Sequence, residues 1–497
     1  MFTVPDLNLL DNIARHAASK PGAVALGGDN LPISYGELWH SISEIQMQLP
    51  GKRVALLLDN HPAWAILDIA LLQARCVCVP IPPFFSPSQL HHVLEDAGID
   101  TVITDQPQRF ADIAGEMSES LQVAGKSLHV LQMQNVNRVP LDDDVIKITY
   151  TSGTTGEPKG VCLDWSAIQL VIDSLSQACE ITTSDTAMAL LPLSTLLENI
   201  GSVYVPLQAG ACAVLPASHE TGISGSSQVS VATLLACLHR YQPTGLILIP
   251  QLLQLLVQVA EAGQTLPGSF RFLAVGGAPV ATDLLIRAER QQLPVYQGYG
   301  LSEAASVVCL NTPADNRPGS VGKPLPHLKL RIADTGEVIL RGHLFRDYLG
   351  KTSQDNVQEW PTGDIGHLDD DGYLYLTGRR KNMFITSFGR NVSPEWVECE
   401  LQSGGSILQA AVFGEARPFN VAVFVPHPGS TDTVIRDSVR AANNRLPDYA
   451  RIRHYVISNT AFTVENGLLT GTSRVRRDQV AARFNDLLKN LYEDEVA

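Results

Sequence analysis

Apolar positions along this chain follow two rhythms that alternate from end to end. Residues 7–20 repeat at helical spacing and predict an amphipathic helix. The stretch 31–38 leads through Ser34-Tyr35-Gly36-Glu37-Leu38 into a second helix. Short apolar runs bounded by Gly, Pro or charge follow at 54–58, 76–80 and 101–104 and read as strands, with helices predicted at 62–74 and 88–97 between them. The alternation resumes with a helix after Ser166, which could cap it. Strands follow at 211–215, 246–249 and 272–275, with a helix at 231–240. Strands alternating with helices predict an α/β fold with parallel-rich sheets. From about residue 317 the texture changes to short β-like runs at 329–332, 337–340 and 373–376, rich in Gly and Pro. The last segment carries strands at 409–413 and 421–425 and helices at 432–443 and 477–491. The division expected is a large unit over 1–380, with a β-rich part from about 317, and a small α+β unit over 382–497. The stretches 218–227 and 404–406 read as loops.

A length of 497 residues corresponds to about three domain-sized units. With 45% hydrophobic and 18% charged residues the chain belongs with ordinary globular proteins. A formal net charge of −15 argues against nucleic acid as the main partner, since phosphate contacts need clustered cations. The eight cysteines are scattered without zinc spacing, and Cys76 and Cys78 fall in an apolar run, so they read as reduced residues of a cytoplasmic protein. The start of the chain carries Asp6 and Asp11 rather than a basic stretch before an apolar one, so no signal peptide is expected. Asp68, Arg75, Pro250 and Gln251 interrupt the most apolar stretches, so no membrane span is expected.

Chemistry concentrates first at residues 148–163, Ile-Thr-Tyr-Thr-Ser-Gly-Thr-Thr-Gly-Glu-Pro-Lys-Gly-Val-Cys-Leu. Here Thr151, Ser152, Gly153, Thr154, Thr155 and Gly156 stand together, with Lys159 three residues on. Glycines let successive N–H groups converge, hydroxyls add donors and the lysine adds charge, which suits a polyphosphate. The flanking runs 145–150 and 160–163 read as strands, so this is not the strand–loop–helix of a Walker loop. It resembles the phosphate loop of the adenylate-forming superfamily, which includes acyl-CoA synthetases, peptide-synthetase adenylation domains and luciferases.

Further segments carry the resemblance in the same order. Gly276-Gly277-Ala278-Pro279 follows the strand expected at 272–275, and Gln297-Gly298-Tyr299-Gly300-Leu301-Ser302-Glu303 comes next after a helical stretch; as a pair in this order they resemble the superfamily's adenine pocket. The resemblance implies that Tyr299 stacks on the base and that Glu303 binds Mg2+. Ser302 stands where many relatives carry threonine and keeps the hydroxyl. The turn segment 317–324 resembles the next family block. Asp364 and Arg379 match the ribose site, and a carboxylate suits a pair of hydroxyls. Lys381 matches the family's hinge, and Gly389 and Arg390 match the loop lining its thiol tunnel.

Two positions depart from the pattern. Thr195, in Pro-Leu-Ser-Thr, replaces a histidine usual in fatty-acyl members, although Glu198 still fits the segment. Arg474 occupies the position of a catalytic lysine near the C-terminus. Arginine keeps the charge but not the compact shape. Thr151, Lys159, Glu303 and Arg474 are the expected catalytic set, and Thr195, Ile249 and Gly276 are candidates for the acyl pocket. The apolar stripe 252–259 reads mainly as core helix, with acyl pocket as the alternative. His91-His92 lacks a spaced third metal ligand and reads as a surface helix. The resemblance implies ATP- and Mg2+-dependent activation of a small carboxylic acid to an acyl-adenylate, then transfer to a thiol of CoA or carrier-protein phosphopantetheine. The segment 462–472 resembles the fatty-acyl branch and favours an aliphatic acid. No carrier domain is evident, so any acyl carrier protein would be a separate partner. Amide ligation and a non-catalytic nucleotide or acyl sensor are the alternatives.

Overall fold

A computed structural model describes residues 8–29, 32–49, 51–112, 114–133, 139–152, 158–224, 228–351, 359–464, 466–470 and 474–493. Among these residues two large mixed sheets form most of the molecule. In the first, the strands Val295–Leu301, Phe272–Val275, Gly245–Leu248, Thr186–Met188, Cys212–Val214 and Val24–Gly27 run parallel in that spatial order. Antiparallel strands close its edges. In the second, Val145–Ser152, Val77–Pro80, Arg53–Leu57 and Thr101–Thr104 are parallel. Antiparallel additions extend it, among them Pro158–Asp164, to which the short strand Asp347–Tyr348 pairs.

The helix Pro62–Gln73 is buried on every side from Pro62 to Leu71. That explains its apolar text, broken from Pro62 to Leu71 only at Asp68, since a helix packed all round has no polar face to show. Its one charge, Asp68, interrupts an apolar run in the sequence and is fully enclosed in the fold. The main core runs from this helix through Ala167–Leu175 to Leu196–Leu207. A second core gathers Leu252, Leu253, Leu256 and Val257 with the helix Thr282–Arg290 and neighbouring strands, and Val259 is buried too. The stripe 252–259 is therefore core.

Strands Leu328–Ile332, Glu337–Gly342, Trp360–Leu368 and Leu374–Arg379 make a four-stranded antiparallel sheet, the β-rich part expected from the sequence. The C-terminal domain has a three-stranded sheet, Ile407–Phe413, Asn420–Pro426 and Ile452–Ile457, with the helices Pro394–Gln402 and Asp432–Arg445 in one core and Phe462, Leu468 and Val480 in another.

Several expectations change. Asp164, not Ser166, caps the helix Trp165–Ala178, because its carboxylate accepts the Ala167 N–H at 2.8 Å and Ser166 lies inside the first turn. The helix expected at 477–491 divides at Phe484, whose φ of −107° leaves the helical region. The loop expected at 218–227 contains a short helix, Ser218–Thr221. The hairpin of Ala114–Val123 and Lys126–Met133 was not foreseen, since its first strand is largely polar. His91 is exposed beside Glu95, whereas His92 turns inward, its Nε2 3.0 Å from the Pro158 carbonyl. The cysteines are all free, in keeping with the reduced reading.

Candidate functional site

Ligands of open α/β sheets collect beyond the carboxyl ends of the parallel strands, and the sequence candidates gather there. Ile249 directly follows Gly245–Leu248, and Gly276 directly follows Phe272–Val275, its N–H donating to the Leu248 carbonyl at 3.1 Å. The turn Gly276-Gly277-Ala278-Pro279 leads on toward the helix Thr282–Arg290, and Gly298, Tyr299 and Gly300 end the neighbouring strand. A bulge falls between Tyr299 and Gly300. A Cβ on Gly300 would lie 1.7 Å from the Ser306 carbonyl oxygen, so only glycine allows the hairpin to close there. Ser302 and Glu303 form the 3-10 turn that follows. Thr195 lies exposed at the start of the short helix Leu196–Asn199.

Three of these segments meet at Asp364. The Tyr299 hydroxyl donates to its Oδ2 at 2.6 Å and Arg379 Nε to its Oδ1 at 2.8 Å. The pairing is built by register, since Asp364 and Arg379 face each other across the antiparallel strands Trp360–Leu368 and Leu374–Arg379. Burial, and then the charge of Asp364, pushes the Tyr299 hydroxyl well up, so it stays a donor.

A second group lies around Tyr348. Its hydroxyl donates to Glu303 Oε1 at 2.6 Å, and Lys159 Nζ stands 5.8 Å from its ring centroid. Tyr348 therefore joins the end of the hairpin formed by Val145–Ser152 and Pro158–Asp164 to the turn carrying Glu303. Burial and the Glu303 hydrogen bond push its hydroxyl up. The sequence reading missed Tyr348 because it sits in a short stretch without periodicity and enters only by pairing onto Pro158–Asp164. Thr151 and the backbone of Ser152 end the hairpin's first strand, while Gly153, Thr154, Thr155 and Gly156 lie outside the described residues.

Arg474 approaches from the C-terminal domain. Beside it Leu469 bridges Val475, and the Thr470 N–H donates to the Arg474 carbonyl at 2.8 Å. Its guanidinium feels Arg379, Asp364, Glu395 and Glu303. Surrounding protein, and then Arg379, lower its proton affinity, opposed by the three carboxylates. Water still reaches the exposed side chain, so the charge is kept. Tyr299, Asp364, Arg379, Glu303, Tyr348, Lys159 and Arg474 thus converge, and the place where they meet is the candidate crevice.

Gln297 is 7% exposed, and its Oε1 has no hydrogen-bond partner among the described residues. Glu198 is wholly buried, accepting from Leu190 N–H and Ser202 Oγ, both at 3.0 Å. With no cation beside it among the described residues, burial pushes its carboxyl up to about 8. Lys381 is an exposed turn residue just after Leu374–Arg379, and Gly389 and Arg390 lie exposed in the loop between strands Phe384–Ile385 and Asn391–Val392. Among the described residues no group of three metal-ligating side chains occurs. Glu303 alone suits a cation whose remaining ligands are phosphate oxygens and water.

Comparison with known proteins finds a match over residues 13–347 to the family described as AMP-binding enzyme, and over 381–496 to the AMP-binding enzyme C-terminal domain. A long-chain-fatty-acid–CoA ligase of Mycobacterium bovis is 27% identical over 545 residues, covering 90% of this chain and 88% of that protein. A feruloyl-CoA synthase of Amycolatopsis is 27% identical over 512 residues, covering 95% and 98%. In fold, the chain is similar to an anthranilate CoA ligase crystallised with anthranoyl-AMP, with a TM-score of 0.78, 19% identity and coverage of 96% and 97%.

Proposed function

The chain belongs to the AMP-binding enzyme family, and from that premise we propose that it joins ATP to a small carboxylic acid and passes the acyl group to a thiol. The observation that carries this reading is the convergence of Asp364, Arg379 and Tyr299 with Glu303, Tyr348 and Lys159 opposite Arg474. Asp364 accepts from the ribose hydroxyls, with Arg379 holding the carboxylate in place. Gly277, Ala278, Pro279, Gln297, Gly298, Tyr299, Gly300 and Ser302 frame the base. Thr151 to Gly156 and Lys159 hold the phosphates. Glu303 would hold Mg2+, which when bound neutralises phosphate charge.

In the first step a carboxylate oxygen of the acid attacks the α-phosphorus. The bond to the bridging oxygen breaks, and pyrophosphate leaves with its electron pair. Arg474 and Lys159 donate to the charge that develops. In the second step the thiol loses its proton and attacks the acyl carbonyl, and AMP departs. The C-terminal domain turns about Lys381 between steps, bringing Gly389 and Arg390 to the thiol path. The division into 1–380 and 382–497 belongs to this reading.

Relatives acting on acids as different as fatty acid and ferulate leave the acid open. We favour an aliphatic acid. The segment 462–472 resembles the fatty-acyl branch, and the pocket candidates Thr195, Ile249 and Gly276 carry no charge. The acceptor is CoA or a carrier protein's phosphopantetheine, with CoA favoured, and the setting is the cytoplasm; no helix among the described residues is long and apolar enough to cross a membrane. Mixing the protein with ATP, Mg2+ and a panel of acids should release pyrophosphate for at least one aliphatic acid. Release with none overturns the reading in favour of a sensor. Consumption of a supplied adenylate by an amine but by neither thiol makes it an amide ligase.

A further inference from the structure

A helix leaves its last carbonyls without intrahelical partners and carries partial negative charge at that end. The helix Pro394–Gln402 of the C-terminal domain ends against the face of the large domain made by the helices Pro250–Glu261 and Thr282–Arg290. Arg287 Nη1 donates to the Ser403 carbonyl at 2.9 Å. Gln254 Nε2 reaches the Gln402 carbonyl at 3.3 Å, and Cys399 Sγ lies 3.3 Å from the Pro279 carbonyl.

Both sides of this contact are prepared. Glu261 accepts Arg287 Nε at 2.8 Å and Nη2 at 2.7 Å, a bidentate grip that leaves Nη1 to point across the boundary. Within the C-terminal domain, Arg445 Nη2 donates to the Glu400 carbonyl at 2.9 Å and to Ser403 Oγ at 2.7 Å, fixing the helix end. Gly405 follows with φ +77°, and a Cβ there would stand 2.6 Å from Gln258 Nε2 and 3.1 Å from Gln254 Nε2. Arginine, glutamine amides and glycine thus fit together where two domains touch, and Pro279 belongs to the turn assigned to the base.

We infer that Arg287, with Gln254 and the Gly405 turn, latches the C-terminal domain in the orientation that presents Arg474 to the crevice. These are positioning residues for the first step alone, and the inference rests on the two-step reading above. The latch must open before the domain can turn. Weakening it disfavours the orientation needed to form adenylate, whereas transfer from a supplied adenylate does not use that orientation.

The test has two readouts. Losing one charge-assisted hydrogen bond shifts such an equilibrium roughly tenfold. Arg287→Ala should slow pyrophosphate release roughly tenfold and leave thiol acylation from a supplied adenylate unchanged. In the same variant, alkylation of Cys399 by iodoacetamide, resolved by peptide mass spectrometry, should quicken by a similar factor, since the latch shelters it. Gly405→Ala should act in the same direction from the other side of the boundary. Gln258→Ala added to it should restore part of the loss by removing the clashing amide. Unchanged Cys399 labelling in both variants, or equal loss of both steps, overturns the latch. A parent protein that releases no pyrophosphate defeats the functional reading instead, and Cys399 labelling still decides the latch.

Discussion

Two clusters in this protein use nearly the same parts to opposite ends. In each, an aspartate accepts a tyrosine hydroxyl and pairs with a cation. Asp68 accepts from Tyr204 and from Lys147 Nζ at 2.8 Å, while Asp364 accepts from Tyr299 and from Arg379 Nε at 2.8 Å. The cation makes the difference. Side-chain exposure is 0% for Asp68 and 2% for Lys147, and the lysine's three donors are taken by Asp68, Asn199 and Tyr204. Asp364 is 7% exposed, but Arg379 is 42% exposed and lies at the crevice. A saturated, dry network can only hold a strand to the two helical segments packed on it. A half-open one has donors left for a ligand. Burial of the cation, not the identity of the pair, separates the structural cluster from the candidate site.

Breaking the dry cluster should have the largest effect. Lys147→Met leaves Asp68 charged with no cation inside a helix buried all round. Removing one partner of a buried pair costs about 3–5 kcal/mol. Urea unfolding should show that loss, and a change below about 1 kcal/mol would erase the contrast. Arg474→Ala tests the opposite extreme, an exposed cation expected to act only on the reaction. Pyrophosphate exchange should fall roughly 10²-fold or more, with thioester formation from supplied adenylate nearly spared and stability unchanged. Arg474→Lys should keep or raise the exchange rate, and an alanine variant that matches the parent would remove Arg474 from the mechanism. Asp364→Ala comes next. It should weaken ATP binding by about 1–3 kcal/mol by calorimetry, because Arg379 and Tyr299 lose their shared acceptor. Unchanged affinity in the folded variant would take the ribose from this residue.

The same contrast explains what the sequence disclosed. Buried parallel strands such as Thr101–Thr104 and Phe272–Val275 are short apolar runs with sharp ends, so they were legible to the residue. The hairpin from Ala114 was not, since a polar edge strand lacks that signature. Asp364, Arg379, Tyr299 and Glu303 stand in glycine-marked segments of fixed order, which a resemblance can reach. Tyr348 joins the site only through a two-residue strand paired onto the hairpin, and Lys147 meets Asp68 only because its strand pairs beside Val77–Pro80, the strand that follows the helix carrying Asp68. Asp68 read as an interruption of an apolar run, and nothing nearby in sequence announced its partner. Contacts made by tertiary closure between distant segments are the ones local pattern cannot carry.

The finest test applies one substitution to both clusters. Tyr204→Phe and Tyr299→Phe each remove a hydroxyl from an aspartate that keeps its cation; the first also takes an acceptor from the buried Lys147 Nζ and should cost about 1–3 kcal/mol, the second about 1 kcal/mol. The readouts should separate. Tyr204 is 1% exposed, and its hydroxyl bonds only within the dry network, so the loss should appear in unfolding and leave ATP affinity untouched. On the proposed reading the Tyr299 hydroxyl orients Asp364 for the ribose, and its ring would still stack on the base. The loss there should appear in ATP affinity, and the unfolding midpoint should move little because water can reach the half-open crevice. Equal losses of stability from both substitutions would mean that Asp364 is held as a structural group like Asp68. The exposure of Arg379 would then no longer mark a binding site.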